Sequence, residues 1–201
     1  DIAHERVRVA FDRKQFPQAI ALVQQAEVLE QAFGAPVLVR AITLNMKAGI
    51  LNAQGDFAAA AGLLDRVLKM RRDHGAAPNE VATTLNNLAF ALVRDGELEA
   101  ARSRFAEAYR IKRTQLGAAH VETALMLLNL AKAERDLGQF EAANQHMGEV
   151  HATLEKLYPD PAAPHPALAI LKLDLAVSLR MQGDLKGALT KLTDSCSQPD
   201  A

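Results

Sequence analysis

Apolar residues recur at spacings of three and four along almost the whole chain, and short polar turns interrupt that rhythm at regular intervals. Leu44, Ala48 and Leu51 form one stripe between Pro36 and Gly55, and Leu64 and Val67 form a second from Phe57 to about Arg72. The succession returns as Leu85, Leu88, Ala89 and Leu92 followed by Leu98, Ala101, Phe105 and Ala108. It returns again as Leu127, Leu130 and Ala131 followed by Phe140, Ala143, Met147 and Val150, and as Leu175, Ala176 and Leu179 followed by Leu185, Ala188 and Leu192. Such spacing gathers the apolar residues on one face of a helix, and strand-like β-branched runs are missing, so the pattern predicts helix pairs throughout.

A turn of one type separates the helices of each pair. Gly55-Asp56-Phe57, Gly96-Glu97-Leu98, Gly138-Gln139-Phe140 and Gly183-Asp184-Leu185 stand 41, 42 and 45 residues apart. A glycine there can close the preceding helix in the left-handed conformation, which a Cβ disfavours. A helix-turn-helix unit cannot bury its apolar stripe alone, so the repeat predicts stacked units in one domain over 1–201: an all-α α-solenoid of about five repeats. The units run over about 1–34, 35–76, 77–118, 119–163 and 164–196. In the first, a cap, residues 2–13 form a helix, and Phe16, Ala19 and Ala26 stand where Phe57, Ala60 and Val67 stand later.

Several positions within the units carry specific expectations. Ala48, Ala89, Ala131 and Ala176 recur in first helices and Ala60, Ala101, Ala143 and Ala188 in second helices, where helix axes approach closely only if the crossing residues are small. Pro78-Asn79 offers a helix start, with the asparagine as a capping acceptor. Glu134 replaces Leu92, so it calls for a charged partner or a shallower site. Four prolines between Pro159 and Pro166 forbid a continuous helix there.

Composition narrows the function. Hydrophobic residues make up 49% of 201 and aromatics 4%, so alanine and leucine do the packing. A formal charge of −1 gives no overall field for nucleic acid or an anionic membrane, and no run reaches the roughly 20 apolar residues of a membrane span. Cys196 is alone, which excludes an intrachain disulfide framework and leaves the cytoplasm as the default compartment. The start at Asp1 and the polar tail Ser197–Ala201 suggest a segment of something longer.

The order of small and aromatic residues resembles the tetratricopeptide repeat. The 42-residue unit, longer than the usual length of about 34, together with Val81-Ala82-Thr83-Thr84-Leu85-Asn86-Asn87-Leu88-Ala89 and the connector Leu116-Gly117-Ala118-Ala119-His120, is similar to the kinesin light chain type of that repeat. The resemblance covers residues 36 to 195 well and the first 35 weakly. It implies a right-handed superhelix, a right-handed α-solenoid of tetratricopeptide repeats, whose first helices line a concave, peptide-binding groove. The positions that match a backbone-holding asparagine of such repeats are Asn87 and Asn129, with Met46 and Asp174 in the second and fifth units. Asn45, Asn52, Asn86, Arg94, Lys132, Arg135 and Arg180 would lie beside them. An amide pairs with any peptide bond, and the four cations would favour acidic or carboxylate-bearing ligands.

The remaining chemistry is sparse. His146 and His151 are five apart, wrong for a shared metal, and neither a phosphate loop nor a nucleophile elbow is present. No cofactor or metal is expected, and no catalysis. His74, His120 and His165 lie near connectors, where they would cap helices or face water. The basic clusters Arg66, Lys69, Arg71, Arg72 and Arg102, Arg104, Arg110, Lys112, Arg113 fall on second helices, expected to be a solvated outer face and not a nucleic-acid stripe. The sequence thus reads as a scaffold binding a peptide or partner protein. The alternative is a regulatory or sensory arm of a larger signalling enzyme, a kinase or nucleotide-switch ATPase; a third, architectural reading has the array self-associate through its terminal helices.

Overall fold

The computed structural model describes residues 2–160 and 165–196, with the side chains of Ile2 and of residues 191–196 excepted. The prolines at 161 and 164, the tail from Ser197 and the side chains of Leu192 and Cys196 therefore lie outside the described residues. All regular structure among the described residues is α-helical: α1 (Ile2–Asp12), α2 (Phe16–Ala32), α3 (Val37–Gln54), α4 (Phe57–Asp73), α5 (Pro78–Asp95), α6 (Leu98–Leu116), α7 (Val121–Asp136), α8 (Phe140–Leu157), α9 (Pro166–Met181) and α10 (Leu185–Cys196). Contacts gather into two compact units, Asp1–Arg104 and Phe105–Ala201, which divide within α6.

In the first unit, α1 packs on α2, α2 on α3, α3 on α4 and α4 on α5. Val7, Ala10, Ala19, Val23 and Ile50 form the core at its amino end, with Phe11 and Phe16 against it at a ring separation of 5.9 Å. In the second unit, α7 pairs with α8 and α9 with α10, and α9 also packs on both α7 and α8. Met147, Val150, Leu154 and Leu171 are fully buried there.

The small-residue positions behave as their sterics require. Ala48, Ala60, Ala89, Ala101, Ala131 and Ala143 are fully enclosed, and the last pair, Ala176 and Ala188, nearly so. At the turns, Gly55 and Gly96 adopt φ of 88° and 90°, which end α3 and α5 in the left-handed conformation. Asp56 and Asp184 then accept hydrogen bonds from the amides of Ala59 and Gly187 and so cap the following helices. His120 and His165 cap α7 and α9 through Nδ1, each accepting a backbone amide hydrogen at 3.1 Å.

Two local expectations change and a third, for Glu134, is met. Asn79 does not cap α5. Pro78 occupies the first helical position, Ala77 is the cap residue, and Glu80 reaches back to accept the Ala77 amide at 3.2 Å. Glu134 is buried, 1% exposed, and takes a hydrogen bond from His146 Nδ1 at 2.7 Å, the partner that its place in the apolar stripe demands. Arg71 and Lys112 leave the solvated outer face assigned to them, for both are 7% exposed.

These two residues occupy equivalent places near the carboxyl ends of α4 and α6, and each fastens its helix to the next. Arg71 donates to Thr84 Oγ1 and, at 2.6 Å, to the Glu80 carbonyl. Burial lowers its pKa from the ordinary arginine value, against the opposing pull of Glu80. Lys112 donates to Glu122 at 2.6 Å, and that hydrogen bond and charge hold the Glu122 carboxyl below its usual range. On α2 the matching residue is Glu30, which accepts a hydrogen bond from Thr43. His4 Nε2 lies 2.7 Å from the same Thr43 oxygen; since the threonine hydrogen is committed to Glu30, the imidazole is the donor.

A candidate peptide-binding face

In the first unit, the first helices α3 and α5 touch directly. The spacing of Asn45 and Asn52, seven residues, returns both to one side of α3, and Asn86 and Asn87 lie on α5. All four asparagines are half-buried. The Oδ1 atoms of Asn45 and Asn52 are buried with no hydrogen-bond partner, whereas Asn86 already has a polar partner. An amide oxygen closed to water and with no donor beside it is unfavourable, and a ligand N–H reaches it only after the asparagine side chain turns outward. Beside them, Lys47 forms a 2.9 Å ion pair with Glu27. The Arg94 side chain is exposed, with its guanidinium 4.8 Å from the centre of the Phe57 ring.

The second unit has a different character. Arg135 on α7 donates to Asp174 on α9 at 2.9 Å and to Asp136 at 2.9 and 2.8 Å through Nε and a terminal nitrogen. Lys132 Nζ lies 3.0 Å from the other Asp174 oxygen, close enough for an ion pair. Arg135 and Asp174 are 9% and 8% exposed. Although burial alone would lower it, the hydrogen bonds and charges of the two aspartates raise the Arg135 pKa, so its positive charge is secured. Two cations meet two carboxylates. The basic character that Lys132 and Arg135 were expected to give the groove is thereby neutralised within the protein, while Arg180 stays exposed at the end of α9. Asn129 is half-buried and has its own polar partner.

The structure thus brings Asn45, Asn52, Asn86 and Asn87 onto two touching helices and joins Lys132, Arg135 and Asp174 in one cluster. Among the described residues no three His, Cys, Asp or Glu side chains converge as metal ligands, and no helix is long and apolar enough to cross a membrane. His151 turns to Glu155 at 3.1 Å, and His146 to Glu134.

Models of the tetratricopeptide repeat match residues 40–74 and 80–156, together more than half of the chain. No curated protein matches the sequence. Among solved structures, the nearly identical TPR-like repeats of a kinesin light chain-type protein from Podosopora anserina align with a TM-score of 0.82 at 20% identity, covering 97% of this chain and 92% of that one. The Rap protein complexed with Competence and Sporulation Factor aligns at 0.73 and 15% identity over 96% of this chain and 52% of its own. YrrB, described as a TPR protein with an unusual peptide-binding site, aligns at 0.62 and 13% identity over 96% and 84%. At these identities the likeness establishes the fold, an all-α repeat solenoid similar to that of kinesin light chain repeats. With the repeat models covering most of the helical pairs, the chain belongs to the tetratricopeptide repeat family.

Proposed function

We propose that this protein is an interaction scaffold whose first-helix faces hold a peptide segment of a partner protein, with asparagine side chains pairing to the peptide backbone. The observation that carries this reading is the row of half-buried amides on two touching helices, Asn45 and Asn52 on α3 and Asn86 and Asn87 on α5, with the Asn45 and Asn52 oxygens left unpaired within the chain. Their chemistry suits a peptide backbone in preference to a particular side chain. YrrB has a peptide-binding site on the same fold, which lends the reading support. The paired state of Lys132 and Arg135 removes the earlier ground for an acidic ligand in the second unit.

Selection of a random peptide library on the immobilised full chain would supply a ligand, and calorimetry would then compare its affinity for the native chain and for an Asn45→Ala/Asn52→Ala variant. Loss of two hydrogen bonds worth about 0.5–1.5 kcal/mol each predicts binding weaker by a factor between about five and about 150. Equal affinity in a variant with an unchanged melting curve would reject this role for the asparagines.

A further inference from the structure

Arg40 and Arg66 line one cavity of about 450 Å³, which α2, α3 and α4 enclose within the first unit. Among the described residues neither guanidinium has an ion pair or a hydrogen bond. The other charges of the cavity are already answered. Lys47 holds Glu27 at 2.9 Å, and Glu30 accepts the hydroxyl hydrogen of Thr43. The two arginines thus keep a positive charge that no carboxylate of the chain meets. Val28, Leu44 and Leu63 give the same cavity an apolar side, and Val28 is 66% exposed.

The next repeat shows what this joint looks like when it is closed. Glu27, Leu44 and Lys47 correspond, 41 positions on, to Leu68, Leu85 and Leu88. Those leucines are 2%, 0% and 3% exposed. Around α3 a charged pair takes two of the three places, and its side chains stay 30% and 27% exposed. A partly exposed ion pair adds little stability, so the exchange of leucines for Glu27 and Lys47 is not explained by holding the array together. What it leaves is an open, polar-walled space. Arg40, Leu44 and Lys47 stand on average about 120° round α3 from Asn45 and Asn52, so this space is separate from the asparagine face.

We propose that the cavity is a second binding site, for a small organic acid with one carboxylate on an apolar body. Arg40 and Arg66 take the carboxylate, whose two oxygens match the fork of a guanidinium. Val28, Leu44 and Leu63 cover the apolar body. The volume is that of a small-molecule site. Glu27 and Glu30 in the wall oppose an anion of higher charge.

Nuclear magnetic resonance titration of the isotope-labelled full chain with phenylbutyrate and octanoate tests the proposal, with the corresponding uncharged amides alongside. The acids should shift the backbone signals of residues 24–31, 40–47 and 63–66, and the amides should bind about tenfold more weakly or worse. Arg40→Gln and Arg66→Gln each remove one charged donor from an exposed position and should each weaken the acids by about tenfold. Arg13→Gln, at an exposed arginine outside the cavity, should leave their binding unchanged. Circular dichroism melts verify that the variants fold. A blocked peptide with glutamate beside leucine is the last probe; if it shifts these signals and the free acids do not, the cavity takes a partner's side chain and the proposal is overturned. It is equally overturned by acids that cause no shift at millimolar concentration, by shifts confined to other residues, by equal affinity for acid and amide, or by native affinity in both cavity variants.

Discussion

Arg135 and Asp174 lie 39 residues apart in sequence and 2.9 Å apart in space, and their hydrogen bond ties α7 to α9. Both are almost enclosed, and Asp174 also serves Lys132. Removing one partner of a buried ion pair leaves a charge without compensation, typically at a cost of about 3–5 kcal/mol. Here Asp136 stays on Arg135, so Asp174→Ala is expected to cost less, about 2 kcal/mol, measured as a shift in urea midpoint. The double variant Arg135→Met/Asp174→Leu should recover part of that loss, because an apolar pair has no desolvation to offset.

Glu134 and His146 make a similar contact within one hairpin. His146→Ala strips one partner from a carboxylate that is 1% exposed and should destabilise the fold by about 1–3 kcal/mol. Replacing the pair by Glu134→Leu/His146→Ala restores the apolar residue found at Leu92 and should come out more stable than His146→Ala alone. Thermal melts of the three proteins decide the order.

Ala131 is fully enclosed at a helix crossing, so Ala131→Leu overpacks it, with an expected loss of about 1–3 kcal/mol. Ala152, exposed on α8, is the control. Ala152→Leu should change the stability by less than about 0.5 kcal/mol.

Much of this arrangement is legible in the sequence. The crossing alanines, the glycine turns and the need of Glu134 for a partner all follow from a helical period and the cost of burying a bare charge. The seam residues were not legible in the same way. A period-based reading sends Arg71 and Lys112 outward because they are charged, yet their long aliphatic stems let them lie in the joint between helices while their ends find Thr84 and Glu122. Lys132 and Arg135 looked available to a ligand because their counterion sits one unit further on; only stacking brings Asp174 beside them. Among the candidate site residues, the half-burial of the asparagines follows from their position at the edge of the apolar stripe. Which of their amide oxygens lack an acceptor's partner depends on neighbouring helices and is visible only in three dimensions.

The Lys112–Glu122 joint has a pH signature. The folded Glu122 carboxyl titrates below the value it has in an unfolded chain, so the pair stabilises the fold above the ordinary glutamate range, and that contribution disappears as pH falls through the lowered folded value. Denaturant titrations between neutral and acidic pH should give a shallower acid dependence for Glu122→Gln than for the native chain. The glutamate is half-exposed, so the difference should be modest and should shrink in high salt.

The seams also differ from one another, and this writes an order into the array. Glu30 meets Thr43, Arg71 meets Thr84, Lys112 meets Glu122, and the fourth equivalent position is the fully buried Leu154. Shuffled neighbours would set Glu30 beside the carboxylate of Glu122, or Lys112 beside Val39, where no counterion waits. A chain of near-identical hairpins is at risk of skipping a neighbour as it assembles, and these unlike joints penalise each wrong succession while leaving the shared backbone geometry untouched.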